Sequence, residues 1–196
     1  MVQFSTLGHY RIVKTKLRLT VSDDILRELG KVVVFQAQIE DMVAHYIGRL
    51  LSLPLRQAQI VTSELSFKNL IGLLSSVLID RLGEASELYG EFKAIKKGLY
   101  AFEAFRNNVA HSVWAHGKGF HPLKASRTKI TSKERNGLKC YREEVELQHI
   151  IMAIDEASDC YVHLALFIDK ITNEPTPTLH INLKGQSKGS PRTALS

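Results

Sequence analysis

Residues 105–112 read Phe-Arg-Asn-Asn-Val-Ala-His-Ser, and three of them carry usable chemistry: Arg106, Asn107 and His111. A histidine side chain exchanges protons near neutral pH. An arginine stays charged and grips phosphate oxygens through a fork of N–H donors. That pair is a minimal toolkit for cutting RNA without a metal. The base takes the proton of a ribose 2′-hydroxyl, and the cation steadies the charge that builds on the phosphorane oxygens. At about 100° per helical residue, Asn107 and His111 fall one turn apart on one face, with Arg106 on its flank. The same residues also suit a structural role, because Arg and His near a helix C-terminus interact favourably with its dipole.

The elements that must position these groups are mostly helical. Ser22-Asp23-Asp24 is a helix start, with a capping oxygen and two acids at the positive end of the dipole. From there Ile25, Leu29, Val32, Val33, Gln36, Ile39, Val43, Tyr46, Ile47 and Leu50 recur at three- and four-residue steps, which predicts one long helix with an apolar stripe. Pro54 stops it or begins another. Thr62-Ser63-Glu64 opens a second helix whose buried side is Leu65, Leu70, Leu73, Leu74, Val77 and Leu78, and Gly83 breaks it. A third helix, starting near 84–87, carries Phe92, Ile95, Leu99, Phe102, Phe105 and Val109 and extends toward Trp114. Residues 126–132 then alternate as a strand does, and Asn136-Gly137 is a two-residue hairpin signal followed by a returning strand at 138–144. The fourth helix bears Ile150, Ile154, Ala157, Tyr161, Leu164 and Ile168.

The expected fold is therefore all-α, a four- to five-helix up-and-down bundle with a small β-hairpin insertion between the last two long helices. A basic N-terminal arm (1–21) with Arg11, Lys14, Lys16 and Arg18 precedes the helical domain (22–172), whose hairpin falls at about 124–144. Residues 173–196, rich in Ser, Gly, Pro and Thr, are expected to form a flexible tail.

Charge is unevenly placed. The chain of 196 residues has 26 Lys and Arg against 20 Asp and Glu, yet positions 91–142 alone hold twelve bases and three acids. Such a stretch can neutralise a phosphate backbone, or serve only as a solvated face. Lys118, Lys124, Arg127, Lys129, Lys133 and Arg135 are the candidate RNA-binding residues within it. No run of about 18 apolar residues is present, which predicts no membrane-spanning helix. Two cysteines, Cys140 and Cys160, are too few for a disulfide framework, and the first residues lack an apolar stretch of signal-peptide length. A cytoplasmic location is the expectation.

The Arg-Asn-x-x-x-His run at the end of a late helix resembles the Arg-x4–6-His signature of the HEPN superfamily, in which a polar residue such as Asn107 usually follows the Arg. The flanking Asn108-Val109-Ala110-His111-Ser112-Val113-Trp114 is similar to the ending seen in small bacterial HEPN-like proteins. The likeness covers residues 22–171 in helix order, and only the residues around the motif are specific to it. It implies a metal-independent endoribonuclease without a cofactor, acting in toxin or antiviral-defence systems. Two subunits of such an enzyme bring their motifs into one composite site, so a homodimer is implied, with RNA as substrate and, for a toxin, an antitoxin or other inhibitory protein. By that resemblance Arg106 and His111 are catalytic, and Asn107 orients the His or contacts the scissile phosphate. Glu103, one turn before Asn107, is our own addition, as a support that steers the Arg. Inactive members of the superfamily leave a rival of another class: a silent helical module that dimerises or binds RNA or protein.

Other candidates carry less. His111, His116 and His121 recur every five residues, but helical phase separates them, Gly117 and Gly119 interrupt the segment, and no acid or Cys cluster completes a metal shell. Cys140 and Cys160 read as packing residues, and Trp114 as the residue that closes the core at the helix end. The glycines form neither a phosphate loop nor a dinucleotide fingerprint.

Overall fold

Ser22 starts the first helix, its Oγ accepting from the Ile25 N–H at 3.4 Å and donating to the Pro122 carbonyl at 2.6 Å. The computed structural model describes residues 21–117, 119, 121–133 and 137–173. Among them are five helices and three strands: α1 (Asp23–Leu50), α2 (Leu55–Thr62), α3 (Phe67–Leu82), α4 (Glu87–Ala110), β1 (Val113–His116), β2 (Lys124–Lys133), β3 (Gly137–Glu146) and α5 (Leu147–Thr172). The protein is mostly helical, with a small antiparallel sheet in the order β1-β2-β3 that follows α4 and precedes α5 in the chain. The expected arm and tail, apart from Val21 and Asn173, lie outside the described residues.

Contacts among the described residues divide the chain into two units, one within 21–37 and 102–155, the other within 38–101 and 156–173. In the first, Ile25, Leu29, Val32 and Phe35 of α1 are buried together with Phe102 and Val109 of α4, Ala125 and Val145 of the sheet, and Ile150 of α5. Phe35 and Phe102 meet edge to face at 5.8 Å. The sheet is in strict register, Val113↔Thr128 to His116↔Ala125 on one side of β2 and Lys124↔Glu146 to Lys133↔Gly137 on the other. Odd-numbered residues of β2 and β3 thus share one face with Trp114, and even-numbered ones share the other with Val113.

In the second unit, Phe92 of α4 stacks on Phe167 of α5 at 6.0 Å and sits beside Tyr89. Ser75 Oγ and Tyr89 Oη share a buried hydrogen bond of 2.9 Å, and Lys96 Nζ donates to the same Ser75 oxygen at 3.1 Å. Arg81 donates to the Leu50 carbonyl at the C-terminus of α1, which supplies a donor to one of the helix's last unpaired carbonyls. Lys170 of α5 binds Glu91 of α4.

Four expectations need correction. The insertion is a three-stranded sheet and not a hairpin, because α4 ends at Ala110 and Val113–His116 pair with β2 instead of continuing the helix to Trp114. Pro54, read as a stop or as the start of another helix, starts one, α2. The helix after it starts at Ser66, whose Oγ accepts from Asn69 N–H, and not at Thr62. Val33 is 50% exposed although it fits the apolar stripe of α1. Leu65, Leu73, Val77 and Ile154 are half-buried, at the margins of their stripes.

Candidate functional site

The motif occupies the last turn of α4, where a helix leaves carbonyls without intrahelical donors. Two contacts finish this end. The His111 N–H donates to the Asn107 carbonyl at 3.1 Å, and the Trp114 indole Nε1–H donates to the Val109 carbonyl at 3.0 Å. Trp114 therefore does more than cover the core. From β1 it caps the helix that carries the motif.

Arg106 and Asn107 are both half-buried, and Arg106 Nη1 donates to Asn107 Oδ1 at 2.9 Å. The amide oxygen is thereby committed to the guanidinium, which leaves the amide N–H₂ as the free end of Asn107 for an outward partner. His111 is exposed, in the turn that follows the helix. Glu103 is half-buried one turn earlier. The chain thus presents a held cation, an amide donor and a solvent-facing imidazole within one and a half turns.

The sheet reaches this end of α4 through Lys129, whose Nζ donates to Asn108 Oδ1 at 2.6 Å. Asn108 has no catalytic or binding role in the sequence reading, where it stands only at the head of the flanking run.

The other candidate RNA-binding residues divide by their surroundings. Lys124 Nζ lies 2.7 Å from Glu146 Oε1, and Arg127 Nη2 lies 2.5 Å from Glu143 Oε1, both directly across β2 and β3. The Lys124 hydrogen bond, reinforced by its charge, holds the Glu146 carboxyl below its ordinary value, and the carboxylate raises Lys124 in return. Arg127 is only 14% exposed. Lys118, Arg135 and the Lys133 side chain lie outside the described residues.

The three spaced histidines do not converge. His116 is half-buried on β1, and His121 is exposed, its Nδ1 accepting from the Leu123 N–H at 3.2 Å. Among the described residues no group of three His, Cys, Asp or Glu side chains is placed to hold a metal ion. None of the described helices is long and apolar enough to cross a membrane.

Both cysteines are free. Cys140 is exposed on β3, whereas burial first, and then the charges of Asp159 and Glu156, push the Cys160 thiol up. Ser112 Oγ, next to His111, is buried with no hydrogen-bond partner.

No protein-family model, no curated protein and no solved structure matches this chain.

Proposed function

We propose that the protein is a metal-independent endoribonuclease of HEPN type, acting as a homodimer with RNA as its substrate and serving in a toxin or antiviral-defence system. The observation that carries this reading is the Arg106–Asn107 pair, held at 2.9 Å beside a solvent-facing His111 at one helix end. A cation fixed in place and an imidazole open to substrate suit the two tasks of 2′-hydroxyl attack. The helical part is then the up-and-down bundle of that family, and the sheet an elaboration that steadies the motif through Lys129 and Trp114.

In this reading His111 takes the 2′-hydroxyl proton, Arg106 of one or both subunits faces the non-bridging phosphate oxygens, and the Asn107 amide donates to the phosphate. Cleavage leaves a 2′,3′-cyclic phosphate and a 5′-hydroxyl. The bond from the 2′-oxygen to phosphorus forms as the bond to the 5′-oxygen breaks, the departing oxygen takes a proton from water, His111 returns its proton to solvent, and no redox partner is needed.

The test is purified protein incubated with total RNA in EDTA, alongside Arg106→Ala and His111→Ala. Expected are products ending in 2′,3′-cyclic phosphate from the wild type and none from either variant, with the fold of His111→Ala unchanged because that side chain is exposed. If none of the three folded proteins cleaves while all bind RNA in a salt-sensitive way, the silent binding module replaces the nuclease.

A further inference from the structure

Strand β3 is an edge. The sheet order is β1-β2-β3, and among the described residues the backbone pairing of β3 is with β2 alone. An edge strand offers a row of N–H and C=O groups to any second strand, and proteins blunt such edges with Pro, bulges, short length or charged side chains. β3 has charges but no Pro, no bulge and no short length, so its charges decide which strand it accepts. It runs ten residues without proline, in unbroken register with β2. Residues 137–144 are all exposed, with Leu138 at 74% and Tyr141 at 56%.

Its charges are segregated. Lys139 and Arg142 lie toward the start of the strand, and Glu143, Glu144 and Glu146 at its end. A strand that is basic first and acidic last complements its own reverse. We infer that β3 pairs antiparallel with β3 of a second copy of this chain, about a two-fold axis through Tyr141, and joins two three-stranded sheets into one of six strands.

Register follows from the faces. A two-fold perpendicular to the sheet keeps like faces together only when it passes through a residue paired with its own copy. At Tyr141 it sets each Lys139 opposite the partner's Glu143, and Cys140 opposite the partner's Arg142. At Lys139, Arg142 or Glu143 it would set a charge against itself, and at Cys140 it would form no Lys–Glu pair. Only the Tyr141 axis gives two opposite-charge pairs directly across the new seam without a like-charge pair on the axis.

The inference does not rest on the nuclease reading. β1, which follows the motif in the chain, is the opposite edge of the sheet, so the two β1 strands of the joined sheet stand about 24 Å apart, five strand spacings. This seam therefore does not bring two motifs together. A chain that also pairs through its motif assembles beyond the dimer, as a tetramer where the two axes close.

Sedimentation velocity on the full chain tests the seam. The wild type is expected to sediment as an even-numbered assembly. Lys139→Glu or Glu143→Lys alone weakens association about tenfold, and the combined charge swap restores it. Because Glu143 also holds Arg127, a second measurement avoids that residue. Tyr141→Cys, in a Cys140→Ser, Cys160→Ser background, is expected to form an intermolecular disulfide under mild oxidation, whereas Lys139→Cys in the same background does not. A monomeric wild type, a mass insensitive to Lys139→Glu, or no disulfide at position 141 overturns the inference. None of these readouts depends on cleavage, so failure here is separable from failure of the nuclease reading.

Discussion

Gly48 of α1 marks a close helix approach in the second unit. A Cβ added there meets Ala58 Cβ of α2 at 2.6 Å, against 3.4 Å for the start of ordinary contact. Both atoms are fixed to backbone, so no rotamer relieves the overlap and the helices must part by about 1 Å. Two effects oppose each other in Gly48→Ala. Alanine is the better helix former by about 0.8–1 kcal/mol, and overpacking a close contact costs about 1–3 kcal/mol. The only buried residues of α2 are Ala58 and Thr62, so this short helix yields before α1 does and the cost stays in the lower part of that range. The net expectation is a loss of about 0.5 kcal/mol, or about 1–2 °C in melting temperature for a chain of this size. Urea titration followed by far-ultraviolet circular dichroism reads it. Ala58→Gly frees the space, and the double variant Gly48→Ala, Ala58→Gly simply moves the methyl across the contact. The double-mutant cycle should return a coupling of about 1–2 kcal/mol. A stabilised Gly48→Ala, as bare helix propensity predicts, or a coupling below about 0.5 kcal/mol would refute the packing argument.

Two further predictions concern the first unit. Glu146 is held below its ordinary value by Lys124, so the pair's stabilisation is complete above the unfolded carboxylate range and is lost as pH falls through the lowered native value. Lys124 is raised, so at alkaline pH the contribution is lost only as pH climbs past that raised value. The stability difference between wild type and Lys124→Gln should therefore exist at neutral pH, shrink with added salt and vanish in strong acid. A difference that persists in acid would place the effect of Lys124 in packing instead. Trp114→Phe removes the donor to the Val109 carbonyl and should cost about 1 kcal/mol. Trp114 is the sole tryptophan, so its emission in the wild type follows this end of α4 alone. An unchanged denaturation midpoint in the variant would mean that water replaces the indole there without loss.

The helices were legible because their stripes are long. Ile25 through Leu50 repeat at helical spacing within a helix of 28 residues, and nearly every position in that stripe is buried. β1 was not legible, for a physical reason: Val113-Trp114 continues the apolar helical pattern of α4, and what ends the helix is a bond from Trp114 back to Val109, which no local pattern encodes. α2 was marked by Pro54 alone, since its eight residues bury only two side chains and give no stripe to read. At the site, spacing anticipated that Asn107 and His111 stand one turn apart. It did not anticipate that the Asn107 oxygen turns to Arg106, nor that Lys129 returns across the sheet to Asn108. Those are contacts between neighbours in one case and across 21 positions in the other, and periodicity describes neither.

The excess of bases at 91–142 means less for phosphate binding than its total suggests, because the sheet uses part of it internally. Arg127 is 14% exposed against Glu143, and Lys129 is turned onto Asn108, so withdrawing either toward an RNA phosphate would undo a contact that shapes the motif's surroundings. Lys124 differs. Its bond to Glu146 is at the surface, where solvent screens the attraction and an incoming phosphate can replace the carboxylate with little penalty. Lys97 and Lys139 are exposed as well. For an RNA ligand, the salt dependence of binding should then fall when Lys97 or Lys124 is neutralised, each by close to one phosphate contact. Neutralising Arg127 should act on the sheet and on stability first. Charge counted along the sequence treats these residues as equal, whereas the carboxylate across the strand separates a cation available to a ligand from one committed to the fold.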